Sequence, residues 1–206
     1  MNPLWNSLLV CAISLGTISA GMAGTILTFD ELATPQVIPT LNYGTIPNGY
    51  GGLLWKNFGV IDGLLRPASE GYNTGVVSPR NVAFNFDGRP AAITIGSGLF
   101  DLNSAQLTLA LNLDTALNIE VQGYRNGTLI YDNTYTVYRF SPTAVTFDYL
   151  GIDTAKFITS PSQQFAMDNL IITVPEPGTA VLLLCAGLTG ATFRRPRQTR
   201  PDTKEL

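Results

Sequence analysis

Residues 117–138 read LNIEVQGYRNGTLIYDNTYTVY, and this stretch decides the fold. Leu117, Ile119 and Val121 alternate with Asn118 and Glu120, the two-residue period of a strand with one buried face. The alternation runs through Tyr124-Arg125 into Asn126-Gly127. That dipeptide is the strongest short-range hairpin signal, because both central residues of a type I′ turn must reach positive φ. The partner strand is predicted over Thr128–Tyr138.

The same period recurs on both sides of the hairpin. An opening strand is expected at Thr25–Phe29, ending at Asp30-Glu31. Further strands are expected around Trp55–Val60, Gly75–Ser78, Val82–Phe86, Ala92–Gly96, Ser104–Leu111, Val145–Tyr149, Lys156–Ile158 and Phe165–Thr173. The segment from the first strand to Trp55 is rich in Pro and Gly and reads as a long loop. Roughly ten short strands, spaced about 8–12 residues apart and with no convincing helix, predict an all-β, jelly-roll-like two-sheet β-sandwich.

Composition narrows the function classes. The chain of 206 residues has no His, which removes imidazole bases, His metal ligands and Ser-His-Asp chemistry together. Its net charge of −3 provides no basic field for nucleic acid. Only 13% of residues are charged while mean hydropathy is +0.18, so part of the chain is built for lipid.

That part lies at the two ends. Residues 1–23 read as a signal peptide, with the uncharged apolar run Leu8–Ala23 and a small-x-small cleavage site at Gly21-Met22-Ala23. At the other end Val174-Pro175-Glu176-Pro177 precedes an apolar helix expected over 179–193, followed by a basic stop over 194–200 that contains Arg194, Arg195 and Arg197. Two prolines break the preceding strand. A helix of about 15 residues spans about 22 Å, short of the ~30 Å hydrocarbon core, and the arginines would stay cytoplasmic. Such a short transmembrane helix with a rigid motif at its outer edge suits a processing signal better than a permanent anchor. Both Cys, Cys11 and Cys185, fall in these ends, so the 24–173 domain between them contains no disulfide. This domain has 12 acidic against 7 basic side chains.

The tail resembles the PEP-CTERM sorting signal of Gram-negative bacteria, on the strength of Val174-Pro175-Glu176-Pro177, the apolar run and the Arg cluster in that order. The resemblance implies an exported protein whose 174–206 tail is processed by an exosortase. It would reside in the inner membrane as a precursor and then at the cell surface or outside the cell. The domain is similar to secreted β-sandwich proteins often found with this tail, on Ile46-Pro47-Asn48-Gly49-Tyr50-Gly51-Gly52-Leu53-Leu54-Trp55-Lys56-Asn57-Phe58, Gly71-Tyr72 with Val77-Ser78, Asn81-Val82-Ala83-Phe84-Asn85 and Gln164-Phe165-Ala166-Met167-Asp168-Asn169. Its sandwich is also similar to carbohydrate-binding modules, an analogy of fold that leaves function to be argued from a site.

Three kinds of site are open to such a domain. Asp30 and Glu31 end the first strand and Asp168-Asn169 lie in the last. First and last strands are often neighbours in jelly rolls, so these oxygens are candidate ligands of a structural calcium ion. The competing reading has Asp30 capping a turn and Asp168-Asn169 making edge hydrogen bonds. Tyr50, Trp55 and Tyr72, in or beside Gly-rich segments, are candidate carbohydrate-binding rings, although Trp55 reads first as an ordinary core residue of a strand following a loop. An enzyme would need a carboxylate pair, and none stands out among the acids, so no catalytic residue is assigned. The expectation is a non-catalytic surface or matrix protein that interacts with exopolysaccharide. A purely structural biofilm component and a carboxylate glycosidase are the alternatives.

Overall fold

The computed structural model describes residues 24–38, 41–111 and 114–174, all within one compact unit, Met22–Glu176. Residues 1–23, read as a signal peptide, and nearly all of the sorting tail, with the helix expected over 179–193, lie outside the described residues. Among the described residues no helix is long and apolar enough to cross a membrane.

The Asn126-Gly127 hairpin forms as expected. Asn126 has φ 49° and Gly127 φ 76°, the left-handed pair that a type I′ turn requires. They join β9 (Ala116–Arg125) to β10 (Thr128–Tyr138) with Thr128 opposite Arg125. Leu117, Ile119 and Val121 point into the core. This hairpin is one side of a five-stranded sheet completed by β12 (Thr154–Ile158), β7 (Ala91–Ile95) and β4 (Leu53–Lys56), in the order β10-β9-β12-β7-β4.

The second sheet has eight strands. Its path is β11 (Thr143–Ile152), β8 (Phe100–Leu109), β13 (Phe165–Thr173), β6 (Asn81–Asn85), β5 (Phe58–Asp62), β3 (Leu41–Thr45) and β2 (Gln36–Ile38). β1 (Thr25–Leu27) pairs antiparallel with β13, so first and last strands are neighbours. With the two sheets face to face, the domain is an all-β sandwich. Apolar residues from both inner faces fill the space between them, with Phe58, Phe157 and Phe165 packed edge-on or tilted at 5.7–6.1 Å.

Three local expectations change. Trp55–Val60 is two strands in different sheets, because Asn57 turns the chain through φ 59° between β4 and β5. Its amide Nδ2 lies within hydrogen-bonding distance of the carbonyls of Phe86, Arg89 and Pro90, holding the corner. Gly75–Ser78 is a loop after the short α1 (Gly71–Thr74). The supposed long loop before Trp55 contains β2 and β3, which extend the eight-stranded sheet.

The eight-stranded sheet is also covered on the face turned away from its partner. Every residue of β5 and β6 is buried. Alternate side chains leave the main core and join a second cluster made by Ile61, Tyr72, Val82, Phe84, Ala110 and Ala166. The 63–78 segment, anchored where Gly71 N–H donates to Ala110 O at 2.8 Å, lies over this face.

Candidate functional site

Beside that covering segment the outer face opens into a recess of about 280 Å³. Its aromatic wall comes from four elements: Tyr43 on β3, Tyr72 on α1, Phe84 on β6, and Phe86 in the tight turn after β6. The rings meet edge to face. Phe84 and Phe86 lie 4.8 Å apart at 66°, Tyr43 and Phe84 6.4 Å at 83°, Tyr43 and Phe86 5.9 Å at 68°, and Tyr72 and Phe84 5.7 Å at 87°. Such pairs favour this geometry because a positive ring edge meets a negative face. Gly59 on β5 makes room for it. A Cβ there would meet the rings of Phe84 and Phe86 at 2.6 Å.

The rim is polar and held in place. The Tyr72 hydroxyl donates to Gln164 Oε1 at 2.9 Å, and Gln164 Nε2 donates to Asn85 O at 2.9 Å, which fixes the amide's orientation. Arg66 forms a two-point contact with Glu70, Nε to Oε2 at 2.9 Å and Nη2 to Oε1 at 3.0 Å. Its guanidinium carbon lies 5.9 Å from the Tyr72 ring centre. Burial pushes the Tyr72 phenol well above the ordinary tyrosine range, with the Glu70 charge adding to the shift and Arg66 opposing it. Among the described residues Asp87, exposed and at φ 53°, is the one carboxylate that lines the recess. Apolar ring surface beside fixed amide and hydroxyl groups suits an uncharged, hydroxyl-bearing ligand.

Of the three rings singled out in the sequence, only Tyr72 lines this recess. Trp55 is a core residue. It is 8% exposed, its ring stands 5.3 Å from Phe58 and 5.8 Å from Phe29, and its Nε1–H donates to Tyr50 O at 2.9 Å. Tyr50 is half-buried beside it and accepts the Phe29 N–H at 3.0 Å. The Gly-flanked turn folds back on the main core, so these two rings brace the β1 end of the sandwich. Asn48, Asn57 and Asn73 likewise hold loops: Asn48 Oδ1 accepts the Trp55 N–H, and the other two donate to backbone carbonyls. Tyr43, Phe84 and Phe86 were not singled out, although Val82, Phe84 and Phe86 share one parity along their strand.

Two of the four candidate calcium ligands, Asp30 and Asp168, meet around one loop. Asp168 is buried on β13, where its Oδ2 accepts the N–H groups of Val77 and Ser78, each at 2.7 Å. Its Oδ1 accepts the Ser78 hydroxyl at 2.8 Å and the Asn169 N–H at 2.7 Å. Burial pushes this carboxyl above its usual range, against the donors that favour the anion. Asp30 Oδ1 accepts the N–H groups of Arg80 and Asn81, each at 2.8 Å. Two carboxylates thus grip the 77–81 segment at its two ends, while Glu31 is exposed. Asn169 takes φ 47° at a bulge in β13. Among the described residues no group of three or more His, Cys, Asp or Glu side chains is placed to hold a metal ion.

Residues 173–198 match the PEP-CTERM protein-sorting motif. The match takes in Val174-Pro175-Glu176-Pro177, the apolar run and Arg194, Arg195 and Arg197. The chain is therefore a β-sandwich protein carrying a PEP-CTERM sorting tail. No curated protein matches it. Among solved structures it is similar to a family 16 carbohydrate-binding module, at 11% identity and TM-score 0.33, over 57% of this chain and 85% of that one. It is similar to the family 11 carbohydrate-binding module from Clostridium thermocellum, crystallised with a β-1,3-1,4-mixed-linked tetrasaccharide, at 10% identity and TM-score 0.33, over 75% and 97%. A third is TmCBM61 in complex with β-1,4-galactotriose, at 6% identity and TM-score 0.30, over 63% and 95%.

Proposed function

We propose that this chain is an exported protein delivered to the cell surface by exosortase processing, where its sandwich binds neutral exopolysaccharide without cleaving it. The sorting tail supports the first half of this reading. The carrying observation for the second is the recess on the outer sheet face, walled by Tyr43, Tyr72, Phe84 and Phe86 and given its depth by Gly59. Pyranose rings present an apolar C–H face to aromatic rings and hydroxyls to amides such as Gln164. With Asp87 as the one carboxylate at the rim among the described residues, the recess favours retention of the polymer over hydrolysis.

An array of neutral polysaccharides probed with the full-length chain in mild detergent tests the binding half. Capture of at least one polymer, without release of reducing ends, is expected. Silence across the array leaves the structural-component reading in its place, and released reducing ends would make the chain a hydrolase. For the sorting half, replacing Pro175-Glu176-Pro177 by alanines is expected to leave unprocessed precursor in the membrane fraction. Normal processing of that variant contradicts it.

A further inference from the structure

Where the turn after β1 meets the start of β6, three buried oxygens have no hydrogen-bond partner among the described residues: Asp30 Oδ2, Asp62 Oδ1 and Asn81 Oδ1. The other polar atoms of the same side chains are committed. Asp30 Oδ1 accepts the two N–H groups already described. Asp62 Oδ2 takes both Nε and Nη2 of Arg80 at 2.5 Å. Asn81 Nδ2 donates to the carbonyls of Phe29 at 3.0 Å and Leu32 at 3.1 Å, which sets the amide's orientation and leaves Oδ1 as its unused end.

The three side chains come together at Asn81. Asp62 and Asn81 are paired directly across β5 and β6, which puts their Cβ atoms about 4.5–5.5 Å apart. Both are almost fully buried, at 1% and 2% exposure. Asp30 sits against the N–H of Asn81, on the turn that the Asn81 amide itself grips.

A buried acceptor without a donor is costly, and a carboxylate oxygen more so than a neutral one. One water donates two protons and would still leave the third oxygen unserved. With Asp30 and Asp62 set against Arg80, the cluster holds one excess negative charge. Two carboxylates and an amide are hard oxygen ligands of the kind calcium takes, and calcium tolerates an irregular set drawn from a turn and two strands where magnesium demands a near-ideal octahedron. We propose that Asp30 Oδ2, Asp62 Oδ1 and Asn81 Oδ1 hold a calcium ion that ties the turn after β1 to β5 and β6, with water completing its shell. This set keeps Asp30 and replaces Glu31, Asp168 and Asn169, the last three of the ligands expected from the sequence.

The test is calcium binding by the full-length chain, stripped with EDTA and dialysed, measured by equilibrium dialysis alongside the melting temperature. One bound calcium per chain at 10 mM and a rise in melting temperature of about 5 °C are expected, on the millimolar scale of extracellular sites. Asp30→Asn keeps the Oδ1 acceptor for both N–H groups, so it should fold and bind calcium at least tenfold more weakly. Glu31→Gln should bind as the wild type does. Absence of bound calcium in the wild-type chain overturns the proposal, independently of any variant. So does an Asp30→Asn chain that binds as tightly as wild type.

Discussion

Gly59 is the residue on which the recess depends. It lies on the outer face of β5, where the rings of Phe84 and Phe86 occupy the space a side chain would take. Gly59→Ala forces both rings outward into the recess, at a cost of about 1–3 kcal/mol for an overpacked site. The expected result is a moderately less stable chain that has lost its polysaccharide binding, read from denaturant unfolding and a binding isotherm on the same sample. Asp168 governs a different region. Its carboxylate takes four donors from the 77–78 backbone, the Ser78 hydroxyl and the Asn169 N–H. Asp168→Ala strands those donors in the interior and should destabilise the fold by about 3 kcal/mol, since hydrogen bonds to a charged group contribute about 1.5–3 kcal/mol. Neither role is visible in the sequence. Asp168 finds its partners 90 residues away. The parity of Phe84 and Phe86 does not show which sheet face is outer, because β6 is buried on both sides and lacks the polar alternation that would mark solvent.

At the scale of elements, the legible parts are those whose signal is local. The β9–β10 hairpin combines a clean period with a turn dipeptide whose backbone needs are met within two residues. Gly127 has open space around its Cβ position, so Gly127→Ala meets only the backbone penalty of left-handed φ. About 1–2 kcal/mol of stability should be lost with no change in ligand binding, and thermal melts beside the same isotherm check it. The β4–β5 corner was illegible for the opposite reason. Trp55–Val60 has the look of one strand, and only the left-handed turn at Asn57 divides it between the sheets. Trp55 itself was better marked than its Gly-rich surroundings suggest. Along Leu53–Lys56 burial alternates with Lys56 outward, which places Trp55 inward with Leu53. β2 and β3, three and five residues long, are too short for a period to declare itself. Yet β3 carries Tyr43, so the recess is assembled from β3, β5, β6 and α1 by tertiary contacts that no single segment announces.

For the whole molecule, stability and sorting belong to different parts of the chain. The sandwich has no disulfide to rely on and is held by a continuous aromatic and aliphatic core, supplemented by the second cluster under α1. Its alkaline limit has a definite sign. Burial raises the phenols of Tyr50, Tyr72 and Tyr135 above the ordinary value, while the same groups in the unfolded chain ionise near pH 10. Their contribution is complete below about pH 10 and is lost as the pH rises further, because only the unfolded state then releases the protons. Melting temperature should therefore fall as the pH rises above about 10, and Tyr72→Phe should make that fall shallower. The sorting tail adds an address to this scaffold, and the proposed function gives the recess a polysaccharide to hold. The measurement that tests this most directly is a pair of isotherms for one captured neutral polysaccharide, taken with the wild-type chain and with Phe86→Ala at matched folded fraction. Saturable binding by the wild type and at least a tenfold loss in Phe86→Ala are predicted, and equal binding by the two chains would contradict the account.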